Sequence, residues 1–141
     1  MTESIPVLTV RNPGETDEAQ IVELLSRAFR RWPQFEIPVP AIEHLRWKMR
    51  SDPGAPRHHW VGEIDGRIVV MLLRVIRRVR VRGRDCLIRD GVDAAVDPDY
   101  QEHRLYSSMV DDSKTRPQYF EVDLGLSYTS NPKLQGRNAR K

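Results

Sequence analysis

Apolar and polar positions alternate along this chain with two different periods. Between residues 17 and 31, Ile21, Leu24, Leu25, Ala28 and Phe29 recur at the three- and four-residue spacing of a helix face. Asp17 with Gln20 three residues on has the pattern of a capping box, and Glu18 adds an acid to the first turn. Arg27, Arg30 and Arg31 gather at the far end, where the helix dipole is negative. Residues 33–40, rich in proline, break this helix. Ile42, Leu45 and Met49 then mark a shorter one that Asp52-Pro53-Gly54 stops. A short extended piece over residues 7–10 precedes both and ends at the Asn12-Pro13-Gly14 turn.

From His58 onward the period falls to two. Strands over 60–64, 68–81 and 86–96, joined by an Asp65-Gly66 hairpin signal and a turn at Gly83, predict an antiparallel meander. Asp97-Pro98-Asp99 reads as an N-cap with proline at the first helical position, opening a helix through Leu105, Met109 and Val110 that Pro117 ends. Phe120, Val122, Leu124, Leu126 and Tyr128 then alternate with Glu121, Asp123, Gly125 and Ser127, which predicts another strand. Asn131-Pro132 starts a last helix. The predicted order is β-α-α-β-β-β-α-β, an α/β fold with a mixed sheet. The single crossover helix makes the last two strands parallel neighbours.

Composition narrows the class. The 141 residues, 39% hydrophobic and 30% charged, suit one domain over 1–141. Cys86 is the only cysteine, which excludes an intramolecular disulfide and a Cys-rich zinc site. No apolar run approaches the roughly 20 residues that span a bilayer, and the first ten residues lack the basic and long apolar regions of a signal peptide, so the cytoplasm is the expected compartment. Twenty-three Lys and Arg against twenty Asp and Glu leave +3, which permits anionic partners without demanding them.

The stretch 91–106, Gly91-Val92-Asp93-Ala94-Ala95-Val96-Asp97-Pro98-Asp99-Tyr100-Gln101-Glu102-His103-Arg104-Leu105-Tyr106, resembles the cofactor motif of the GNAT superfamily of N-acetyltransferases. In that family a strand ending in Val-x-Pro-x-Tyr leads through an Arg/Gln-x-x-Gly-x-Gly/Ala loop into a helix. The resemblance implies that Ala94, Ala95 and Val96 face the pantetheine of acetyl-CoA, that Gln101, Glu102, His103, Arg104, Leu105 and Tyr106 cradle its pyrophosphate, and that Asn131 touches the cofactor. The physics of such a loop is sound, because a helix N-terminus offers unpaired N–H groups and partial positive charge to a dianion. This copy places Arg104 at the glycine position, Tyr106 at the small-residue position and Glu102 where the anion lies. The same resemblance implies an incomplete fold, without the body of the last helix and the final β-hairpin. Its further consequences are exposed apolar surface over 120–128 and association of copies through that edge.

Acetyl transfer to an amine needs a base for the ammonium and an acid for the leaving thiolate. Carboxylate candidates are Asp93 and Asp90 beside the cofactor strand, with Glu63 and Glu121 on neighbouring strands; the resemblance places the tyrosine acid beyond Lys141. Tyr128 and Cys86 fall in apolar strand positions that suit core packing. His58 and His59 are adjacent and point to opposite faces, so no metal site is expected. Trp32, Trp47 and Trp60 read as packing between helices and sheet. Arg74, Arg78, Arg80, Arg82 and Arg84 share one parity against Val75, Val79 and Val81, the pattern of a strand with a wet face. A row of guanidinium groups also suits phosphates, but no aromatic is interleaved in sequence. The first reading is therefore an N-acetyltransferase moving acetyl from acetyl-CoA to a primary amine. A catalytically inactive module of that fold and a basic nucleic-acid-binding domain are the alternatives.

Overall fold

The computed structural model describes residues 7–50 and 55–127. Its elements are β1 (Thr9–Arg11), α1 (Glu18–Ala28), α2 (Ala41–Arg50), β2 (Trp60–Ile64), β3 (Arg67–Val81), β4 (Arg84–Val96), α3 (Leu105–Lys114) and β5 (Leu124–Ser127). This is the predicted β-α-α-β-β-β-α-β order. The five strands lie in sequence order in one sheet, antiparallel from β1 to β4, with β5 parallel to β4. Tyr128, Asn131 and the helix expected after it lie outside the described residues.

Both hairpins turn where the sequence signals them. Asp65-Gly66 and Arg82-Gly83 each place two successive residues at positive φ, the geometry that matches the twist of the flanking strands. The helices then cover the two faces of the sheet. On one side Ile21, Leu24 and Leu25 of α1 and Leu45 of α2 pack on Val61, Met71 and Leu73. On the other, Leu105 and Met109 of α3 pack on Trp60, Val70 and Leu72. Each such buried side chain is worth about 1.5–3 kcal/mol, so these two layers hold the sheet rigid where the site forms. Gly62 serves the second layer, because a Cβ there would lie 2.8 Å from Leu8 and 2.9 Å from the Met109 sulfur.

Several boundaries differ from the sequence expectation, each for a local reason. Asp17 forms no box with Gln20. Its carboxylate accepts the Gly14 N–H at 2.7 Å and two N–H groups of Arg11 at 2.7 and 2.8 Å, a bidentate ionic pair that outcompetes a neutral cap. Gln20 instead accepts the Ile68 N–H. The first strand is Thr9–Arg11, set by pairing with β2 rather than by its own apolar run. Pro98–His103 is a 3-10 turn, and α3 starts only at Leu105. Pro117–Glu121 is a second 3-10 turn, so Phe120 and Val122 precede β5 instead of belonging to it.

The β3–β4 hairpin outreaches its neighbours. β2 accompanies β3 only as far as Leu72, and β5 pairs with β4 only from Ile88 onward. The stretch between Arg77 and Cys86 therefore projects as a two-stranded ribbon.

Candidate functional site

The parallel pairing of β4 with β5 runs from Ile88 opposite Leu124 to Gly91 opposite Ser127. Ser127 is the last described residue of β5. On its other side β4 stays with β3, but one extra residue is inserted there. Met71 faces Ala95 while Leu73 faces Val92, so Asp93 and Ala94 oppose Leu72 alone. This is a β-bulge, and Asp93 adopts a φ of 39° within it. A bulge of this kind bends its strand and sharpens the local twist. The Asp97 N–H reaches the Val69 carbonyl of β3 at 2.7 Å, so by alternation Val96 turns its own backbone groups away from β3. Ala94 is exposed, while Ala95 is buried against α1 and α2.

Beyond β4 the chain turns sharply into α3. Asp97 caps the 3-10 turn by accepting the Asp99 N–H at 2.9 Å. The same carboxylate, only 1% exposed, takes Arg27 of α1 at 2.8 Å and Arg67 of β3 at 2.9 Å. Arg27 is thus held by the loop instead of resting on its helix dipole. Arg104 then takes φ 54° and ψ 33°, the left-handed conformation that favours glycine. It gives α3 no side-chain cap, and the first helical bond runs from the Ser108 N–H to the Arg104 carbonyl. The amides of the first turn before it point out of the helix end. Leu105 is buried and Tyr106 packs partly on the α3-side core, while Gln101 and Arg104 are exposed. Glu102 and His103 belong to the 3-10 turn.

The four candidate carboxylates fall in three places. Asp90 and Asp93 lie on β4, Asp90 where β5 still pairs and Asp93 in the bulge. Asp90 is 8% exposed, stands 3.5 Å from Arg77, and has a buried Oδ1 with no hydrogen-bond partner. Asp93 is paired with Lys48 of α2. Glu63 is held by Arg11, beside Asp17 and away from the bulge. Arg11 keeps the Asp17 carboxyl below its usual range. Glu121 lies on the α3 side, 2.7 Å from Arg57 and 3.5 Å from His58, whose imidazole is lowered chiefly by burial.

Sequence reading missed an aromatic group on α2. The His44 ring of α2 lies 5.3 Å from Trp32, 6.1 Å from Phe35 and 5.6 Å from Trp47, and its Nε2 is buried without a partner. Burial first, and Lys48 second, lower its pKa. Trp32 and Trp60 are buried as expected, but Trp47 is 65% exposed. The available signal was the spacing of His44, Trp47 and Lys48 on one helix. Among the described residues no group of three His, Cys, Asp or Glu is placed to hold a metal, and no helix is long and apolar enough to cross a membrane.

A bulged strand end whose last residue turns its amide groups away from β3, and a helix start without a side-chain cap, are what the structure brings together here. Comparison with known proteins agrees with this architecture. No curated protein matches the chain. Among solved structures, a probable N-acyltransferase from Enterococcus faecalis superposes with a TM-score of 0.71 at 16% identity, covering 93% of this chain and 31% of its own, so the present chain spans about a third of that protein. Glucosamine-6-phosphate N-acetyltransferase from Arabidopsis thaliana gives 0.68 at 16% identity, covering 96% of this chain and 91% of its own. AAC(6')-Iy in complex with the bisubstrate analogue CoA-S-monomethyl-acetylneamine gives 0.66 at 14% identity, covering 95% and 87%. These likenesses show the fold. The model of the acetyltransferase (GNAT) domain matches residues 9–137, and the chain belongs to that family.

Proposed function

We propose that the chain transfers an acetyl group from acetyl-CoA to a primary amine. The observation that carries this reading is the bulged end of β4 at Asp93, followed by the start of α3 that no side chain caps. In it, the end of β4 over Ala94, Ala95 and Val96 faces the pantetheine amides, Val96 offering its backbone groups as in strand addition. The turn from Gln101 to Tyr106 holds the pyrophosphate, with the Arg104 side chain supplying positive charge, and Asn131 completes the contact. Asp90 takes the ammonium proton, having an oxygen that no protein group occupies, whereas Asp93 is already spent on Lys48 and orients α2. Glu63 and Glu121, bound to arginines elsewhere, serve structure. Amine acceptors fit the two solved structures above that are named for amino sugars or their analogue.

Calorimetric titration with acetyl-CoA is expected to give saturable heat, and CoA release followed by chromatography is expected with at least one member of an amine panel. A folded protein that gives no heat at millimolar acetyl-CoA overturns the reading. Asp90→Asn is expected to retain cofactor binding and lower turnover about a hundredfold, the usual worth of a general base. An unchanged rate removes Asp90 from that position. Arg104→Gly is expected to leave stability within about 0.5 kcal/mol, because relief of the left-handed backbone offsets the greater freedom of unfolded glycine. It should tighten acetyl-CoA about fivefold by opening close approach to the helix amides; weaker binding would instead make the Arg104 charge the dominant contact.

A second reading, a module that binds without turnover, is favoured by Arg104 in the glycine position and by the Lys48–Asp93 pair. It expects heat on titration and no CoA release with any amine.

A further inference from the structure

The ribbon concentrates the charge of the whole molecule. Residues 74–89 contain seven arginines and one aspartate, a net of +6, in a chain that totals +3, so all the other residues together carry −3. The fold sorts these arginines by face. The Arg74 guanidinium reaches the Ser113 hydroxyl of α3 at 3.4 Å, and the Arg89 guanidinium lies 4.7 Å over the Tyr119 ring and 3.4 Å from the Tyr119 carbonyl. Both therefore lie on the α3 side. Arg78 and Arg80 follow on that side by strand alternation, because Ile76 opposes Arg89, Arg78 opposes Leu87 and Arg80 opposes Asp85. Arg77 is on the other face, against Asp90.

The result is a row of four guanidinium groups rising from the sheet to the ribbon tip. Asp85 answers Arg80 at 3.2 Å; among the described residues Arg74, Arg78 and Arg89 pair with no carboxylate. Burial and the proximity of Arg89 lower Arg74 to about 10, so both groups stay charged while half-buried. Uncompensated, such a pair is costly, and an incoming anion relieves the cost. Room is provided too. Gly125 leaves the space across β5 in which the Arg89 guanidinium lies, since a Cβ there would stand 3.0 Å from Nη2.

At the root of the row lie two aromatic rings that sequence order hid. Tyr119 and Phe120 meet edge to face at 5.2 Å, and Phe120 is 75% exposed. An exposed ring beside a regular row of arginines combines a stacking platform with a phosphate track. Guanidinium, and no lysine anywhere in the ribbon, favours bidentate phosphate contact. We propose that the α3-side face of the β3–β4 ribbon binds the backbone of single-stranded nucleic acid, with Arg74, Arg89, Arg78 and Arg80 on the phosphates and Phe120 under a base. None of these residues is among those assigned above to acetyl-CoA or to the base, so this proposal does not rest on that reading.

The test is fluorescence anisotropy of a labelled oligothymidylate and a labelled oligouridylate titrated with the full chain. Four phosphate contacts predict a log-log salt slope of about −3, a loss of affinity of roughly 50-fold between about 50 and 200 mM salt. Arg78→Ala combined with Arg80→Ala removes two exposed side chains without touching the core. It should weaken binding at least tenfold and roughly halve the slope. Phe120→Ala should weaken single-strand binding roughly fivefold, while Arg84→Ala, the same charge change on the opposite face, should alter it less than about twofold. Folding of each variant is read by circular dichroism. The proposal is overturned if neither oligonucleotide binds at low salt, if the paired arginine variant binds like the parent, or if a duplex, a polyglutamate peptide or phosphatidylserine vesicles bind more tightly than the single strands.

Discussion

Replacing Asp97 by alanine is expected to lower the unfolding free energy by about 3 kcal/mol, with a loss of about 1 kcal/mol from the N-cap and the rest from charge-assisted hydrogen bonds to a buried carboxylate. Asp97 ties four elements together. Its side chain caps the 3-10 turn and binds Arg27 of α1 and Arg67 at the start of β3, while its backbone N–H closes β4 on Val69. Arg27 and Arg67 are partly exposed and can turn to water when the carboxylate is removed, so the loss falls short of the 3–5 kcal/mol seen when a buried charge is stranded. Asp97→Asn keeps the acceptor for the Asp99 N–H and gives up the charge, and should cost roughly half as much. Urea unfolding followed by circular dichroism measures both. An alanine variant within about 0.5 kcal/mol of the parent would show that the turn is held by its backbone alone. Because Asp97 also sets the direction in which the chain leaves β4, the alanine variant should lose acetyl-CoA affinity before it loses its fold.

What the sequence disclosed about this region follows from what is local in it. Element order was legible because each strand and helix carries its own period, and the hairpin turns because Asp65-Gly66 and Gly83 announce positive φ. Asp97 was legible as a cap, since an acid before proline has few other uses. Its pairing with Arg27 was not, because a separation of 70 positions hides a contact made only once β4 lies beside α1. The bulge at Asp93 was equally hidden; it is a mismatch of register between two strands, and nothing in either strand alone records it. Arg104 shows the limit of a motif. Arginine stands there in place of glycine, yet the backbone takes the glycine conformation anyway, in a turn fixed at Asp97 and at buried Leu105. Phe120 reads as a strand residue by its alternation and lies instead in a proline-started turn, exposed beside Tyr119.

Acidification from pH 7 to pH 4 is expected to cost the fold about 3 kcal/mol through His59 alone. The imidazole is fully buried, and burial lowers its pKa to about 4 from an ordinary 6.5. Between those two values the unfolded chain binds a proton that the native chain refuses, so stability falls as pH drops through that window and levels off below it. His58 and His44 are lowered by burial as well and add to the same slope. The structural consequence is specific. The neutral ring donates from Nε2 to the Met49 carbonyl in the last turn of α2, and its Nδ1 accepts the Arg74 N–H at 3.0 Å. Arg74 lies just past Leu72, where β2 ceases to pair with β3, so the ring extends the ladder by a side chain and fastens the root of the ribbon to α2. Protonation removes the acceptor, and the β3 edge at Arg74 should open first. Amide exchange at Arg74 should therefore gain more on going from pH 7 to pH 5 than the intrinsic pH dependence accounts for, while Val70 and Met71, inside the ladder, should not. His59→Gln removes the titration and should flatten the dependence of the urea midpoint on pH between about 6.5 and 4; a variant with the parent's slope would transfer that slope to His58 and the carboxylates.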